Sequence, residues 1–427
     1  MSKKGHAPAE EGIVVELEGM AHGGMAIGRA GGRVLFVPYG APGDRVRVTI
    51  TEDHDTWARA HILEILEPSP HRVEPPCPYY PRCSGCQLQH IAYEKQVSEK
   101  RRVVQDQLAR LAHLRGARVE PVVRMEDPWE YRNSAQLFPT PEGGLGIRTS
   151  FHPGSVPIED CRLFHPLLRE IYDVLDIEAE KLRRLTLRAG TRTGDQLVIF
   201  ETEEGWVPHL STDLPIACAL DEGKEVRALI GSPWITEEVA GRRFRISALS
   251  PFPPNSDMAE HMLDIAYDYL APEPENVLLD AGCGVGLFGL SFVEDVAGVV
   301  GVEDNPWAVN DFVVNAGDSS AGVIYGTLAE GLDEVEGPVD LAVLSPPHEG
   351  IDRTVAEKLG RLAPRRLVYY AADVAALAHD APFLQEAGFS LVEVQPLDMT
   401  PQTYLIAVLA LWERRRGAGV PKKHGQP

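Results

Sequence analysis

The chain has 427 residues, and 63 Asp plus Glu against 41 Lys plus Arg leave a formal net charge of −22. That balance argues against a nucleic-acid binder working by bulk positive charge, though a local basic stripe stays open. Charged and apolar fractions are those of an ordinary globular chain, and no run of about eighteen apolar residues suggests a membrane span.

The length suits two or three domains. The opening Met1-Ser-Lys-Lys-Gly-His-Ala-Pro lacks the apolar core of a signal peptide, so a cytoplasmic location is expected. Six unevenly spaced cysteines in such a chain do not suggest a disulfide framework. No internal repeats are visible, and a monomer is expected.

Residues 13–67 read as short strands with glycine-rich turns. Ile13-Val-Val-Glu-Leu, Val34-Leu-Phe-Val, Arg45-Val-Arg-Val-Thr-Ile and His61-Ile-Leu-Glu-Ile-Leu are separated by Gly23-Gly24, Gly31-Gly32 and Ala41-Pro-Gly-Asp. This pattern fits an OB-like barrel, a common nucleic-acid module, and fits a generic small β-domain equally well. A proline-rich stretch (Glu67-Pro-Ser-Pro, Glu74-Pro-Pro) marks a boundary, and a cysteine cluster follows it. Next comes a helix from about Tyr93 to Leu114, with Val97, Val104, Leu108 and Leu111 on one face. Lys95, Lys100, Arg101, Arg102, Arg110, Arg115 and Arg118, against Glu99 and Asp106, read as a solvated helix face.

Residues 120–250 look β-rich and irregular. From Asp257 the pattern changes to a helix (Met258 to Leu270) and then alternating strands and helices. The strands are Val277-Leu-Leu-Asp, Val299-Val-Gly-Val-Glu, Leu341-Ala-Val-Leu, Arg366-Leu-Val-Tyr-Tyr and Phe389-Ser-Leu-Val-Glu-Val, with a last buried strand from Tyr404 to Trp412. That is a doubly wound α/β domain.

Within it, Val277-Leu-Leu-Asp-Ala-Gly-Cys-Gly-Val-Gly is a strand followed by a glycine-rich turn. Glycines let backbone pass close to a ligand. The spacing of Gly282, Gly284 and Gly286 after Asp280 departs from the dinucleotide G-x-G-x-x-G pattern and has the D-x-G-x-G-x-G form of an S-adenosylmethionine (SAM) loop. Glu303 closes the next strand, where it can accept hydrogen bonds from ribose hydroxyls. Cys283 reads as a packed small residue and Cys218 as core.

Cys77-x5-Cys83-x2-Cys86 puts three thiols on one short segment, and Cys161 is a candidate fourth. Such a set fits tetrahedral zinc or an iron–sulfur cluster, and three close cysteines plus one remote one lean towards [4Fe–4S].

Together these pieces resemble the RNA uracil-5 methyltransferase family that modifies ribosomal and transfer RNA. Gly19-Met-Ala-His-Gly-Gly-Met-Ala-Ile-Gly-Arg, Phe36-Val-Pro and Pro42-Gly-Asp resemble its TRAM barrel, and Cys77-Pro-Tyr-Tyr-Pro-Arg-Cys-Ser-Gly-Cys its iron–sulfur signature. Tyr131-Arg-Asn, Cys161 and Asp398-Met-x-Pro-Gln-Thr403 match further segments. The resemblance implies an α+β multidomain chain. Its parts are an OB-like TRAM β-barrel (residues 12–68), a central β-rich iron–sulfur domain (69–250), a Rossmann-like SAM-dependent methyltransferase domain (251–415) and a disordered tail (416–427). It also implies RNA as partner, a [4Fe–4S] cluster on Cys77, Cys83, Cys86 and Cys161, and SAM held by Asp280, Gly282, Gly284, Gly286, Glu303 and Ser345.

Departures from the family pattern bear on chemistry. C5 of uracil becomes nucleophilic only after a cysteine thiolate adds to C6, and a base must then remove the C5 proton. The family's cysteine position is Ala372, in Tyr369-Tyr-Ala-Ala-Asp, and its glutamate position is Ala407. Its DPP motif is Ser345-Pro346-Pro347, the glutamine of FQxN is Pro253, and an aspartate beyond the third strand is Thr327. Losing nucleophile and base together implies that standard C5 methylation is lost. No catalytic residue is therefore assigned. One alternative is methylation of a base amino group at Ser345-Pro346-Pro347-His348, with the His348 ring stacking on the base. Another is a non-catalytic RNA-binding protein, with the basic helix and Arg132-Asn133 touching RNA. A redox sensor is a weaker third.

Overall fold

The computed structural model describes residues 12–150, 153–175, 177, 179–203, 206–208 and 213–415. The tail expected to be disordered, 416–427, lies outside the described residues. The chain forms two compact units. The first takes the described residues up to Pro81 together with Cys86–Val103 and Gln402–Tyr404; the second takes Arg82–Gly85, Val104–Pro401 and the described residues from Leu405 onward.

The first unit is built on a closed barrel of β1 (Ile13–Met20), β2 (Ala26–Ala30), β3 (Arg33–Val37), β4 (Arg45–Asp53) and β5 (Trp57–Glu67), in the order β1-β2-β3-β5-β4. Alternate residues point inward, as the period-2 pattern requires: Val15 and Leu17, Val46 and Val48, Ala58 and Ala60 are all buried. Asp44 is fully buried beside the barrel. Burial opposes its ionisation, but Arg72 and the backbone donors of Ser69 and Ala41 outweigh it and hold its carboxyl below the usual range.

Helix α1 (Tyr93–Arg110) carries most of the basic stripe; Arg102, Arg110, Arg115 and Arg118 are exposed, as a solvated face requires, and the reading needs correction at Lys100 and its neighbour Glu99. Lys100 and Glu99 are buried, Glu99 accepts from Met20 N (3.1 Å) and Lys95 Nζ (2.7 Å), and Arg102 donates to Glu18 O (3.1 Å). These groups serve packing between helix and barrel.

The second unit holds two seven-stranded sheets and a two-stranded one. Strands β6 (Ser134–Pro139), β7 (Leu145–Arg148), β8 (Ser155–Pro157), β9 (Leu182–Ala189), β10 (Gln196–Thr202), β11 (Ala217–Asp221) and β12 (Val226–Ile230) make one, ordered β12-β11-β10-β9-β6-β7-β8. A hairpin, β13 (Trp234–Val239) and β14 (Arg242–Ser247), leads to the other. That sheet comprises β15 (Val277–Ala281), β16 (Gly298–Glu303), β17 (Ala321–Tyr325), β18 (Leu341–Leu344), β19 (Arg366–Ala371), β20 (Phe389–Leu397) and β21 (Ala407–Arg414), ordered β17-β16-β15-β18-β19-β21-β20. Six strands run in one direction, and β21 alone runs against them, between β19 and β20. The continuous apolar runs of β15 and β18 match strands covered on both faces.

Between β2 and β21 the helices are α1, α2 (Pro166–Asp173), α3 (Ser256–Leu270), α4 (Pro306–Ala316), α5 (Leu328–Glu334), α6 (Arg353–Leu362) and α7 (Val374–Glu386). Asn255 caps α3 by accepting from Met258 N (3.2 Å). The last strand begins at Ala407, not Tyr404. Residues 402–404 turn aside, with Gln402 O accepting from Gln87 N and Leu88 N (both 3.0 Å), so their backbone groups are spent outside the ladder. Among the described residues, no helix is long and apolar enough to cross a membrane.

Candidate active site

Strand order in the C-terminal sheet reverses at β15, which has β16 on one side and β18 on the other. Chains leaving the carboxyl ends of such strands diverge and open a crevice. A cavity of about 700 Å³ lies there, lined by Gly282, Gly284, Glu303, Thr327, Ser345, Tyr370 and Ala372, with Phe252 and Phe288. Gly282 follows β15, Glu303 ends β16, Ser345 follows β18 and Ala372 follows β19, so sheet register alone brings them together.

The glycine turn is tightly held. Gly282 N and Cys283 N both donate to Val302 O (2.8 and 3.1 Å). A Cβ on Gly282 would lie 2.0 Å from Ser345 O, so the turns after β15 and β18 touch through backbone. Gly284 faces open space. Glu303 accepts from Gly284 N (2.7 Å), Asp304 N (3.1 Å) and Asn305 N (2.9 Å), which aims its carboxylate along the cavity wall. Burial nonetheless raises its pKa.

Two expected residues lie behind the wall. Asp280 is fully buried in β15 and accepts from Gly289 N (2.7 Å), while its Oδ1 has no hydrogen-bond partner. Burial pushes its carboxyl up to about 7, against the pull of that N–H. Gly286 backs onto Leu290 and Phe312. Ser345 Oγ is buried, also without a partner, at a residue of the cavity wall. The glycine face open to the cavity and the Glu303 carboxylate in its wall fit a polar ligand such as SAM.

The positions emptied of chemistry separate. Ala372 lies in the cavity wall. Ala407 is buried within β21 and outside that wall. Cys283 belongs to the turn, but a Cβ built on Gly301 would come within 2.8 Å of its sulfur, which therefore packs beneath the loop. Burial raises that thiol well above the usual range, and the thiol of Cys218, buried in β11, goes up to about 11. His348 is exposed and outside the wall. Thr327 caps α5 in a reciprocal box with Glu330. Asn133, expected to touch RNA, is buried, and its amide donates to Pro253 O (2.9 Å) and Ser256 Oγ (3.1 Å).

Among the described residues, no three His, Cys, Asp or Glu side chains group so as to hold a metal ion. Cys83 Sγ accepts from Gly85 N (3.4 Å), and Cys86 is buried. Cys77 and Cys86 belong to the first unit and Cys83 and Cys161 to the second, and the expected [4Fe–4S] site on them is not shown.

Residues 11–63 match the TRAM domain model. The chain is 32% identical over 442 residues to an uncharacterized RNA methyltransferase of Thermosynechococcus vestitus, covering 94% of this chain and 98% of that protein. This chain belongs to the RNA methyltransferase family. An uncharacterized RNA methyltransferase of Gloeobacter violaceus is likewise 32% identical over 444 residues, with 94% and 96% covered. The crystal structure of the Pyrococcus abyssi tRNA (uracil-54, C5)-methyltransferase with S-adenosyl-L-homocysteine aligns with a TM-score of 0.74 at 23% identity, covering 94% of this chain and all of that one. The family's TRAM barrel and mixed α/β methyltransferase fold are thus both present.

Sequence reasoning missed several residues of this cavity. Tyr370, Phe288 and the Gly350–Asp352 segment line the cavity through tertiary placement. Asp380, buried behind that segment, carried a local signal: a lone acid among Val374, Leu377, Ala378, Ala381 and Leu384, which form the helix's buried face.

Proposed function

We propose that this protein is a SAM-dependent methyltransferase acting on ribosomal or transfer RNA in the cytoplasm, without the usual uracil-C5 chemistry. The observation that carries this reading is the cavity wall. Ala372, to which the family resemblance assigns the nucleophile's position, lines the cavity with a methyl group, the wall's one cysteine has its sulfur packed beneath the loop, and Ser345 Oγ is left without a partner.

Gly282, Gly284 and Glu303 would hold the cofactor, with Asp280 and Gly286 shaping the turn from behind. SAM, when bound, supplies an electrophilic methyl group on a sulfonium. An acceptor with its own lone pair, such as an exocyclic amine or ring nitrogen, needs no added thiolate. Ser345 Oγ, covered by its surroundings in this conformation, would accept a hydrogen bond from such an amine only after a rotamer change. Phe252 and Tyr370 offer rings for stacking, a role His348 does not fill in this conformation.

A non-catalytic RNA-binding role is the second reading. It is favoured by Thr327, whose side chain is spent on capping α5, and by Ala407, which leaves the base position apolar. The [4Fe–4S] cluster is proposed from cysteine spacing and the resemblance to the family's iron–sulfur signature, and no step depends on it.

Calorimetry with SAM is the first test, and absence of binding sinks methyl transfer. Tritiated methyl incorporation into RNA, followed by nucleoside analysis, is the second. An N-methylated base supports the proposal, and 5-methyluridine refutes the loss of C5 chemistry. Tight SAM binding with no incorporation selects the second reading.

A further inference from the structure

The loop from Ser345 to Ile351 forms one side of the cavity, and its two ends are tied differently. At its start, Ser345 N donates to Ala281 O (2.8 Å), continuing the pairing of β15 and β18. At its end, Ile351 N donates to Oδ2 of Asp380 (2.9 Å), a side chain on α7. Gly350 lies against the same carboxylate: its φ is +82°, and a Cβ built there would sit 2.5 Å from Oδ1. Tyr369 Oη donates to Oδ2 (2.6 Å), and His379 Nδ1 lies 2.7 Å from Oδ1. Asp380 is fully buried.

A carboxylate on the core face of a helix loses hydration that an apolar side chain never had. Its place in the middle of α7 brings no benefit from the helix dipole, which acts within the terminal turns. What an acid does here, and a leucine cannot, is satisfy a buried backbone N–H of the cavity loop. The geometry points to Asp380 as a positioning residue. It pins the far end of the 345–351 loop and so fixes how Ser345 and the Pro346-Pro347 turn face the cleft. The link to methyl transfer rests on the reading that this cleft binds SAM, whereas the pinning itself can be measured without any ligand.

Amide hydrogen exchange on the full chain, resolved by peptide, is the test. In Asp380→Leu, exchange across 345–352 should rise roughly tenfold or more while β15 and β16 keep their protection. Asp380→Asn, whose amide oxygen can still accept from Ile351 N, should restore most of the protection. Gly350→Ala, which pries the loop off the carboxylate and leaves α7 unchanged, should loosen the same peptide. With RNA as substrate, kcat of Asp380→Leu should fall about tenfold with the RNA KM unchanged. A rise spread evenly over loop and strands, an unchanged loop, or failure of Asp380→Asn to rescue each overturns the positioning role. Should the wild-type protein fail to bind SAM, the functional reading falls and loop exchange still decides the role of Asp380.

Discussion

Gly282 and Gly284 stand two residues apart in one turn, at φ of +80° and +55°, yet a methyl group meets different surroundings at each. At Gly282 the new Cβ lands 2.0 Å from the carbonyl oxygen of Ser345. That oxygen cannot retreat easily, because Ser345 N is bonded to Ala281 O (2.8 Å). At Gly284 the new Cβ meets nothing within 4 Å. The left-handed backbone costs an alanine about 1–2 kcal/mol at either site. Forcing an atom into packed structure adds about 1–3 kcal/mol, and only at 282. Gly282→Ala should therefore lose about 2–5 kcal/mol, against about 1–2 kcal/mol for Gly284→Ala. Cofactor affinity should behave differently: the methyl at 284 projects from a wall of the cavity, so SAM binding weakens there although the fold holds. Urea unfolding of both variants, with m-values compared, and calorimetry with SAM measure the two effects. Equal unfolding midpoints would refute the clash argument, and undiminished SAM affinity in Gly284→Ala would refute the placement of this turn against the cofactor.

Burial pushes Asp280 up to about 7, above the unperturbed 3.8, so between these values the folded state binds more protons than the unfolded one. Stability should fall as pH rises through that window, with the penalty fully present above about 7; Asp280→Asn should flatten the slope, and an unchanged slope by pH-resolved denaturation counts against this assignment. Ala407→Glu, which restores the glutamate that the family resemblance implies there, should destabilise by about 3 kcal/mol or more, because the position is buried among apolar neighbours in β21; wild-type-like thermal unfolding would contradict that. If cysteine spacing governs, anaerobically purified protein should contain iron and a visible charge-transfer band that Cys86→Ser removes, whereas iron-free, colourless protein ends the cluster proposal.

The glycine turn was legible as a turn because its information is local: Asp280 and three glycines within seven residues, after the apolar run Val277-Leu278-Leu279, specify a strand and a turn without reference to anything distant. Strands β15, β16, β18 and β19 were legible for the same reason. The companions of that turn were not. Ser345 and Ala372 reach the cavity only because β18 and β19 pair in register beside β15, and Tyr370 faces it by strand alternation. Charge patterning misled at α1, since Lys100 and Glu99 are buried by packing that a helical wheel does not contain. Asn133 misled similarly: a polar side chain in a turn looks available for RNA, but here it completes the turn that starts α3. Asp380 shows the reverse, a lone acid in an apolar helical run whose meaning appears only once Ile351 is seen beside it.

The order of the C-terminal sheet bears on how the protein comes into being. β21 occupies an interior slot between β19 and β20 although it follows both along the chain. During synthesis the growing sheet therefore waits with two unpaired ribbons, each an adhesive edge for other chains, until residues 407–414 arrive to seal them. A truncation that removes this segment should harm more than one strand: it should leave β19, which carries Tyr370 and leads into Ala372, without its outer neighbour and turn a monodisperse preparation into aggregates.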